Sequence, residues 1–251
     1  MIEEPFALGD SWIHGLDPRL RVVAAAAFSL VVALAINPWV IALALGAALI
    51  LAGLARLPWG RLLRRLALAG LFLLFIGLFL PFAQPGDPLF HLGPLTASRQ
   101  GTFLALVMIT KALTILLTLT ALLATMGIGA LGHALHRLGM PAKLVYLLLV
   151  TYRYLFVMEQ EYQRLRRAAQ IRGFTPRTNL HTYRTYAYLI GMLLVRAAAR
   201  AERVHQAMCC RGFCGRFYSL SDYPARRSNR IFAALMGLLI LGLALGQWWP
   251  Q

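Results

Sequence analysis

Five long apolar runs dominate this chain and restrict what it can fold into. An α-helix needs about 20 apolar residues to cross a bilayer, and several of the runs approach that length. They cover roughly residues 22–36, 39–55, 66–82, 102–125 and 231–249. The chain is 59% hydrophobic and only 14% charged, which is too little polar surface for a soluble domain of 251 residues. The runs therefore predict an all-α polytopic membrane protein with about five transmembrane helices.

Basic residues orient these spans. Cytoplasmic loops of membrane proteins carry an excess of Lys and Arg. Between Leu131 and Arg230 there are 17 Lys and Arg against four acids, and four more arginines lie between the second and third runs (Arg56, Arg61, Arg64 and Arg65). The net charge of +16 therefore indicates a bilayer and not nucleic acid as partner. We expect a multi-pass membrane protein with a cytoplasmic N-terminus and an external C-terminus. The acidic N-terminus does not predict a cleavable signal peptide.

The pattern divides the chain into three regions. Residues 1–125 form an N-terminal membrane bundle of four spans, residues 126–230 a cytoplasmic or interfacial region, and residues 231–251 a C-terminal transmembrane helix. Residues 146–158 leave two alternatives open. They are short and interrupted by Tyr152-Arg153-Tyr154, which favours a helix at the cytoplasmic boundary over a sixth span.

The basic region contains two long amphipathic stretches. Each has a small or apolar stripe at helical spacing that ends at an arginine, with polar residues on the opposite face, Arg166 and Arg196 among them. The stripes are Met158, Tyr162, Leu165 and Ala169 before Arg172, and Ala197, Ala201, Val204 and Met208 before Arg211.

Both stretches end in the tripeptide Arg-Gly-Phe, at residues 172–174 and 211–213. We call these the first tip and the second tip. Gly173 and Gly212 are predicted to take left-handed dihedrals just after their helices, at low steric cost. The arginine before each glycine then suits a bidentate carboxylate on a partner. We expect the two tips side by side on the cytoplasmic face, with Phe174 and Phe213 as exposed anchors.

These residues resemble the transmembrane T component of energy-coupling factor (ECF) importers, in its cobalt/nickel, CbiQ-like branch. That family has paired Ala-Arg-Gly motifs on two crossed cytoplasmic helices. Here Ile171 and Cys210 replace the alanines. Further matches are the N-terminal box Leu16-Asp17-Pro18-Arg19-Leu20-Arg21, the segment at residues 135–141, and the run at residues 203–215.

The resemblance implies a coupling subunit of the bacterial inner membrane that has no catalytic, cofactor or metal site of its own. It implies two ABC-type ATPase subunits and a membrane-embedded, CbiM-like substrate-capture subunit as partners. Arg172 and Arg211, with Gly173 and Gly212, are then the residues that contact the ATPases. The resemblance favours cobalt as the solute, with nickel or a vitamin as alternatives.

Other polar groups provide little support for a different chemistry. His205, Cys209, Cys210 and Cys214 crowd together, but small thiols packed near a helix end explain them better than a metal site. Lys111 is ionisable within the fourth span, which predicts a polar contact to another helix or to the capture subunit, or partial snorkelling. A polytopic membrane enzyme or a self-contained transporter remains the alternative class, yet acids are almost absent from the spans.

Overall fold

The computed structural model describes residues 11–83, 88–92, 95–213 and 227–247. These residues form eight α-helices and one short antiparallel hairpin. The helices are α1 (Pro18–Leu34), α2 (Pro38–Leu54), α3 (Trp59–Ala83), α4 (Arg99–Leu122), α5 (Ile128–Arg137), α6 (Ala142–Ile171), α7 (Leu180–Cys210) and α8 (Arg227–Gly246). Between α3 and α4 lie β1 (Pro88–Leu92) and β2 (Leu95–Ser98), which the sequence did not predict. The all-α class is confirmed, with this hairpin as a local exception.

The five apolar runs correspond to α1, α2, α3, α4 and α8. Three of these helices contain a segment that is long and apolar enough to cross a membrane: Gly60–Phe82, Arg99–Leu122 and Ser228–Gly246. The helix α2 is apolar but has 17 residues, and α1 has the same length. The number of five membrane crossings therefore stays a prediction.

Two helix boundaries differ from those that hydropathy suggests. The helix α3 begins at Trp59, so Arg61, Arg64 and Arg65 lie in its first turns and not in a loop. The helix in the fourth apolar run, α4, ends at Leu122, and α5 begins as a separate helix at Ile128. Hydropathy identifies the residues that prefer lipid, but arginine is also a good helix former. The ends of an apolar run and the ends of the helix that contains it therefore need not coincide.

The chain forms two compact units. The membrane unit contains the described residues up to Ala134 together with α8. The hairpin unit begins at Leu135 and contains α6 and α7. In the membrane unit, small residues are buried where helices meet, among them Ala25 in α1, Ala44 and Ala48 in α2, and Ala121 in α4. Small side chains allow the close helix approach that membrane bundles use.

Gly101 marks a close approach of α3 and α4. A Cβ atom on this residue would lie 2.8 Å from the Cα of Pro81 and 2.9 Å from the carbonyl oxygen of Leu80. The outer face of α3 is strongly exposed and apolar, with Leu71, Phe72 and Leu78 each at least 60% exposed. Such a face is suited to lipid.

Residues of the N-terminal box hold the start of α1 in place. Asp17 caps the helix by accepting a hydrogen bond from the backbone N–H of Arg19 at 3.0 Å, and its own N–H donates to Asn229 of α8 at 3.3 Å. Arg21 is buried, with one guanidinium nitrogen 2.8 Å from the carbonyl oxygen of Ile13 and another 3.4 Å from the hydroxyl of Thr125. The sequence singled out this box by resemblance only, and the structure shows it packed into the membrane unit.

Candidate functional site

The helices α6 and α7 form an antiparallel pair. Near the start of α6, the hydroxyl of Tyr146 lies 3.7 Å from the sulfur of Met208, close to the end of α7. At the other end, the ring of Phe174 packs edge-on against Tyr186, near the start of α7, with centroids 5.8 Å apart. Residues 146–158 form the first half of α6 and not a separate helix.

The two tips therefore lie at opposite ends of the pair. Arg172 follows α6 beside the start of α7, where it lines a cavity of about 580 Å³ with His181 and Tyr188. Arg211 follows α7 beside the start of α6, where it lines a cavity of about 770 Å³ with Tyr146 and Val150. The expectation that the tips lie side by side was wrong. Two antiparallel helices place their C-terminal ends apart.

The first tip has a complete glycine cap. Gly173 has a φ of +82°, in the left-handed region. Its N–H donates to the carbonyl oxygen of Gln170 at 3.0 Å, and the N–H of Phe174 donates to that of Ala169 at 3.1 Å. These two bonds are the Schellman pattern, which satisfies carbonyls at the end of α6.

The second tip repeats this geometry. Gly212 has a φ of +77°, its N–H donates to Cys209 at 3.0 Å, and the N–H of Phe213 donates to Met208 at 3.1 Å. The predicted left-handed glycines are thus confirmed. Gly139, with a φ of +98°, caps α5 in the same manner after Leu138. The cap alone is consequently not distinctive, and what distinguishes the tips is the arginine before the glycine.

Both tip arginines are available to a partner. Arg172 and Arg211 are exposed, and neither side chain forms a hydrogen bond or ion pair with another residue in the described ranges. Each is the last residue before a left-handed glycine, at the negative end of a helix dipole. A cation there is favoured by about 0.3–1 kcal/mol. Within the described part of the chain, the local fold therefore leaves both of these guanidinium groups unpaired.

The phenylalanines of the tips are not the exposed anchors that the sequence suggested. Phe174 is half-buried because it packs against Tyr186 and His181 of α7. Phe213 is half-buried in the cavity that Tyr146 and Met208 also line. Both rings hold the tips against the neighbouring helix, which leaves the arginines as the exposed chemical groups.

A buried carboxylate lies between the two helices, and sequence reasoning missed it. Glu161 of α6 is 6% exposed and forms an ion pair with Arg196 of α7. Its other oxygen lies 3.5 Å from Arg164 and 3.9 Å from Arg200. The hydrogen bond from Arg196, and then the charges of all three arginines, lower the pKa of Glu161 against the opposing effect of burial. Glu161 is therefore an anion at neutral pH.

This ion pair corrects the expected role of Arg196. The sequence pattern placed Arg196 on the polar face opposite the apolar stripe of its helix, whereas the structure turns it towards α6. A signal was present in the sequence, because Glu161 is one of only four acids between Leu131 and Arg230. An acid so outnumbered by arginines is a strong candidate for a specific pair.

Lys111 contacts another helix of the membrane unit. Its Nζ atom lies 3.1 Å from the carbonyl oxygen of Ala33, in the last turn of α1. The position of this lysine in the bilayer and any contact to a capture subunit stay predictions.

Of the four residues of the possible metal site, the structure describes His205, Cys209 and Cys210, and these three do not form a ligand set. The sulfur of Cys209 lies 3.8 Å from Nε2 of His205, one turn earlier on α7, and Cys210 is exposed. Cys214 lies outside the described residues. Within the described ranges, no three His, Cys, Asp or Glu side chains are grouped so that they could hold a metal ion.

A sequence model of the cobalt transport protein family, CbiQ, matches residues 9–220. This span includes both tips, the N-terminal box and α1 to α7. It leaves out α8, the last apolar helix.

Several curated relatives have the name energy-coupling factor transporter transmembrane protein EcfT. The relative from Acidaminococcus fermentans is 27% identical over 253 residues, which cover 96% of this chain and 94% of the relative. The relative from Heliobacterium modesticaldum is 29% identical over 247 residues, 92% of each chain. The relative from Bacillus subtilis is 29% identical over 229 residues, covering 86% of this chain and 85% of the relative. This chain belongs to the CbiQ/EcfT family and is a membrane T component of the energy-coupling factor type.

Proposed function

We propose that this protein is the non-catalytic coupling subunit of an ATP-driven importer. In this proposal it connects two ABC-type ATPase subunits to a membrane-embedded substrate-capture subunit. Family membership supports the assembly, since the curated relatives are named as transmembrane proteins of energy-coupling factor transporters. The membrane unit is then the bilayer-embedded part, and the hairpin unit contacts the ATPases in the cytoplasm.

The observation that carries this proposal is the matched geometry of the two tips. Arg172 and Arg211 have the same cap, the same exposure and no partner in the described ranges. They lie at opposite ends of an antiparallel pair, so each can enter a different subunit. Two copies of one ATPase would offer two equivalent acceptors, which matches two equivalent cations.

The chemistry of the tips indicates what the acceptors are. A guanidinium group presents a planar fork of donors, which a carboxylate accepts in two parallel hydrogen bonds. We propose an acidic side chain in a groove of each ATPase as the acceptor of Arg172 and of Arg211. The half-buried Phe174 and Phe213 limit the motion of each tip, which lowers the entropic cost of docking.

Cobalt ion is the solute that we propose. The matching family model is described as cobalt transport, which supports this choice, whereas the curated relatives are named without a solute. The discriminating ligands are expected in the capture subunit. Uptake of radioactive cobalt, nickel and a vitamin, measured in cells that express the complete complex, tests the choice. Uptake of nickel or of a vitamin without cobalt would contradict it.

The coupling function is tested by substitution of the tip arginines. Alanine at Arg172 or at Arg211 removes one partner of a charged hydrogen-bonded pair, which should weaken the assembly by about 2–5 kcal/mol. Lysine should rescue poorly because a point charge cannot replace the planar fork, and glutamate should be worst. The measurements are copurification of the ATPase and solute uptake.

Arg166 and Arg203 serve as matched controls. Both are exposed arginines on α6 and α7, and neither has a partner within the described residues. Alanine at these positions should leave copurification and uptake unchanged. If Arg172→Ala and Arg211→Ala were equally harmless, the tips would be ordinary helix ends and the coupling function would be wrong.

A further inference from the structure

We propose that Glu161, Arg164, Arg196 and Arg200 form a pivot that sets the crossing of α6 and α7 and thereby the positions of the two tips. We call these four residues the pivot cluster. This inference rests on the proposed coupling function, since it concerns how the tips are positioned. The residues of the cluster act through Arg172 and Arg211 and are not proposed to touch a partner.

The position of the cluster along the two helices supports this role. Arg211 follows Arg172 by 39 residues, and Arg200 follows Glu161 by the same 39 residues. Glu161 and Arg200 are thus equivalent positions in the two tip-bearing helices. In an antiparallel pair related by an approximate two-fold axis, equivalent residues meet only at the axis. The contact between Glu161 and Arg200 at 3.9 Å places that axis at the cluster.

Cavities lie between the two helices on either side of the cluster. Towards the second tip, a groove of about 380 Å³ opens between Met158 of α6 and Ala201 of α7. Towards the first tip, the cavity of about 580 Å³ opens between Leu165 of α6 and Met192 of α7. The ion pairs therefore lie between the two cavities, where we place the crossing of α6 and α7.

The distance from the crossing to each tip is the same. Arg172 lies 11 residues after Glu161, and Arg211 lies 11 residues after Arg200. At a rise of 1.5 Å per residue, each arm is roughly 16 Å long. A change in the crossing angle would therefore move both tips by equal amounts in opposite senses, as two equivalent ATPase subunits require.

The electrostatics of the cluster suit a pivot. Glu161 has one negative charge and is shared by three arginines, two of them from α7. Arg196 and Arg200 lie one helical turn apart and approach different oxygens of the carboxylate. A carboxylate with several donors can keep its charge paired while the helices rotate, because one arginine can compensate for another. An apolar contact at the crossing would resist such rotation by its close packing.

The test uses the complete complex in lipid nanodiscs, with spin labels on Cys209 and on Gln170→Cys. These two exposed positions are equivalent by the 39-residue repeat, and the other native cysteines are replaced by serine. Pulsed electron paramagnetic resonance measures the distance between the labels, and parallel assays measure solute uptake per ATP hydrolysed and copurification of the ATPase. The variants are Glu161→Gln, Glu161→Arg, and Glu161→Arg combined with Arg196→Glu.

We expect Glu161→Gln to broaden the distance distribution and to lower uptake per ATP several-fold, with ATPase copurification retained because the tips are intact. Glu161→Arg should have a larger effect, and the charge swap with Arg196→Glu should restore much of the distance distribution. Unchanged distances and uptake per ATP in Glu161→Gln and Glu161→Arg would overturn the pivot. Loss of ATPase copurification in Glu161→Gln would also overturn it, since the cluster would then contribute to binding.

These outcomes are distinct from a failure of the coupling function. That function fails if alanine at Arg172 and Arg211 leaves ATPase copurification intact. If those variants lose the ATPase while the Glu161 variants behave as wild type, the coupling function stands and only the pivot is wrong.

Discussion

The Nζ atom of Lys111 in α4 lies 3.1 Å from the carbonyl oxygen of Ala33 in the last turn of α1. The last carbonyls of a helix have no partner within the helix, and a cation is favoured at that end. Lys111 therefore satisfies a carbonyl at the end of α1 and links two helices of the membrane unit.

Replacement of Lys111 by methionine should destabilise the membrane unit modestly. Interhelical hydrogen bonds in membrane proteins contribute about 0.6 kcal/mol on average, so we expect a loss of roughly that size. Unfolding in mixed micelles measures it, with Leu106→Met, at an exposed position of α4, as the control. Lost uptake with unchanged stability would instead indicate that Lys111 has a direct role in transport.

Alanine at Gly212 should destabilise the end of α7. A Cβ atom there meets no other atom within 4 Å, so only the left-handed backbone at a φ of +77° opposes it. This conformation costs an ordinary L-residue about 1–2 kcal/mol.

Gly191, in the interior of α7, is the matched control, because a Cβ atom there also meets no other atom within 4 Å. Alanine at this position should stabilise the helix by up to about 1 kcal/mol. Hydrogen exchange of the last turn of α7 reports the effect of Gly212→Ala, and thermal unfolding compares the two variants. Equal effects of the two substitutions would contradict the prediction.

The stabilisation from Glu161 should be constant through neutral and mildly acidic pH. Its folded-state pKa is lowered, chiefly by the hydrogen bond from Arg196, so its contribution is complete above the ordinary glutamate pKa of about 4.3. It is lost only as the pH falls further, through the lowered pKa. The difference in unfolding free energy between wild type and Glu161→Gln, measured from pH 8 to pH 3, should therefore remain flat down to about pH 5. A difference that stays flat down to pH 3, or that grows as the pH falls from 7 to 5, would show that the pKa of Glu161 is not lowered.

The predicted orientation can be tested by cysteine labelling in a variant without native cysteines. Gln100 is exposed near the start of α4 and should react with an impermeant reagent from outside the cell. Thr178, exposed between α6 and α7, should react only after permeabilisation. Ser98 is a poor probe because its side chain is buried and caps α4 by accepting from the N–H of Gly101 at 3.0 Å. The reverse labelling pattern would invert the topology.

The sequence by itself determined the features that depend on residues close together in the chain. The apolar runs placed five of the eight described helices. The conformations of Gly173 and Gly212 were predictable because the capping bonds connect residues at most five positions apart. A glycine after an amphipathic helix is a local sequence signal, and hydrogen bonds to the last turn of that helix determine the backbone conformation of the glycine.

Only the tertiary structure decided where the two tips lie relative to each other. The same glycine caps are compatible with tips that lie side by side and with tips that lie at opposite ends of the helix pair. The antiparallel packing of α6 and α7 selects the second arrangement, through contacts such as that of Tyr146 with Met208, 62 residues apart. The partner of Glu161 could not be predicted for the same reason. Several arginines lie near Glu161 in the sequence, and only the packing of α6 against α7 selects Arg196. Helical periodicity specifies the face of its own helix on which a residue lies. Which faces of two helices pack together depends on contacts between residues far apart in the sequence, and a local pattern does not contain that information.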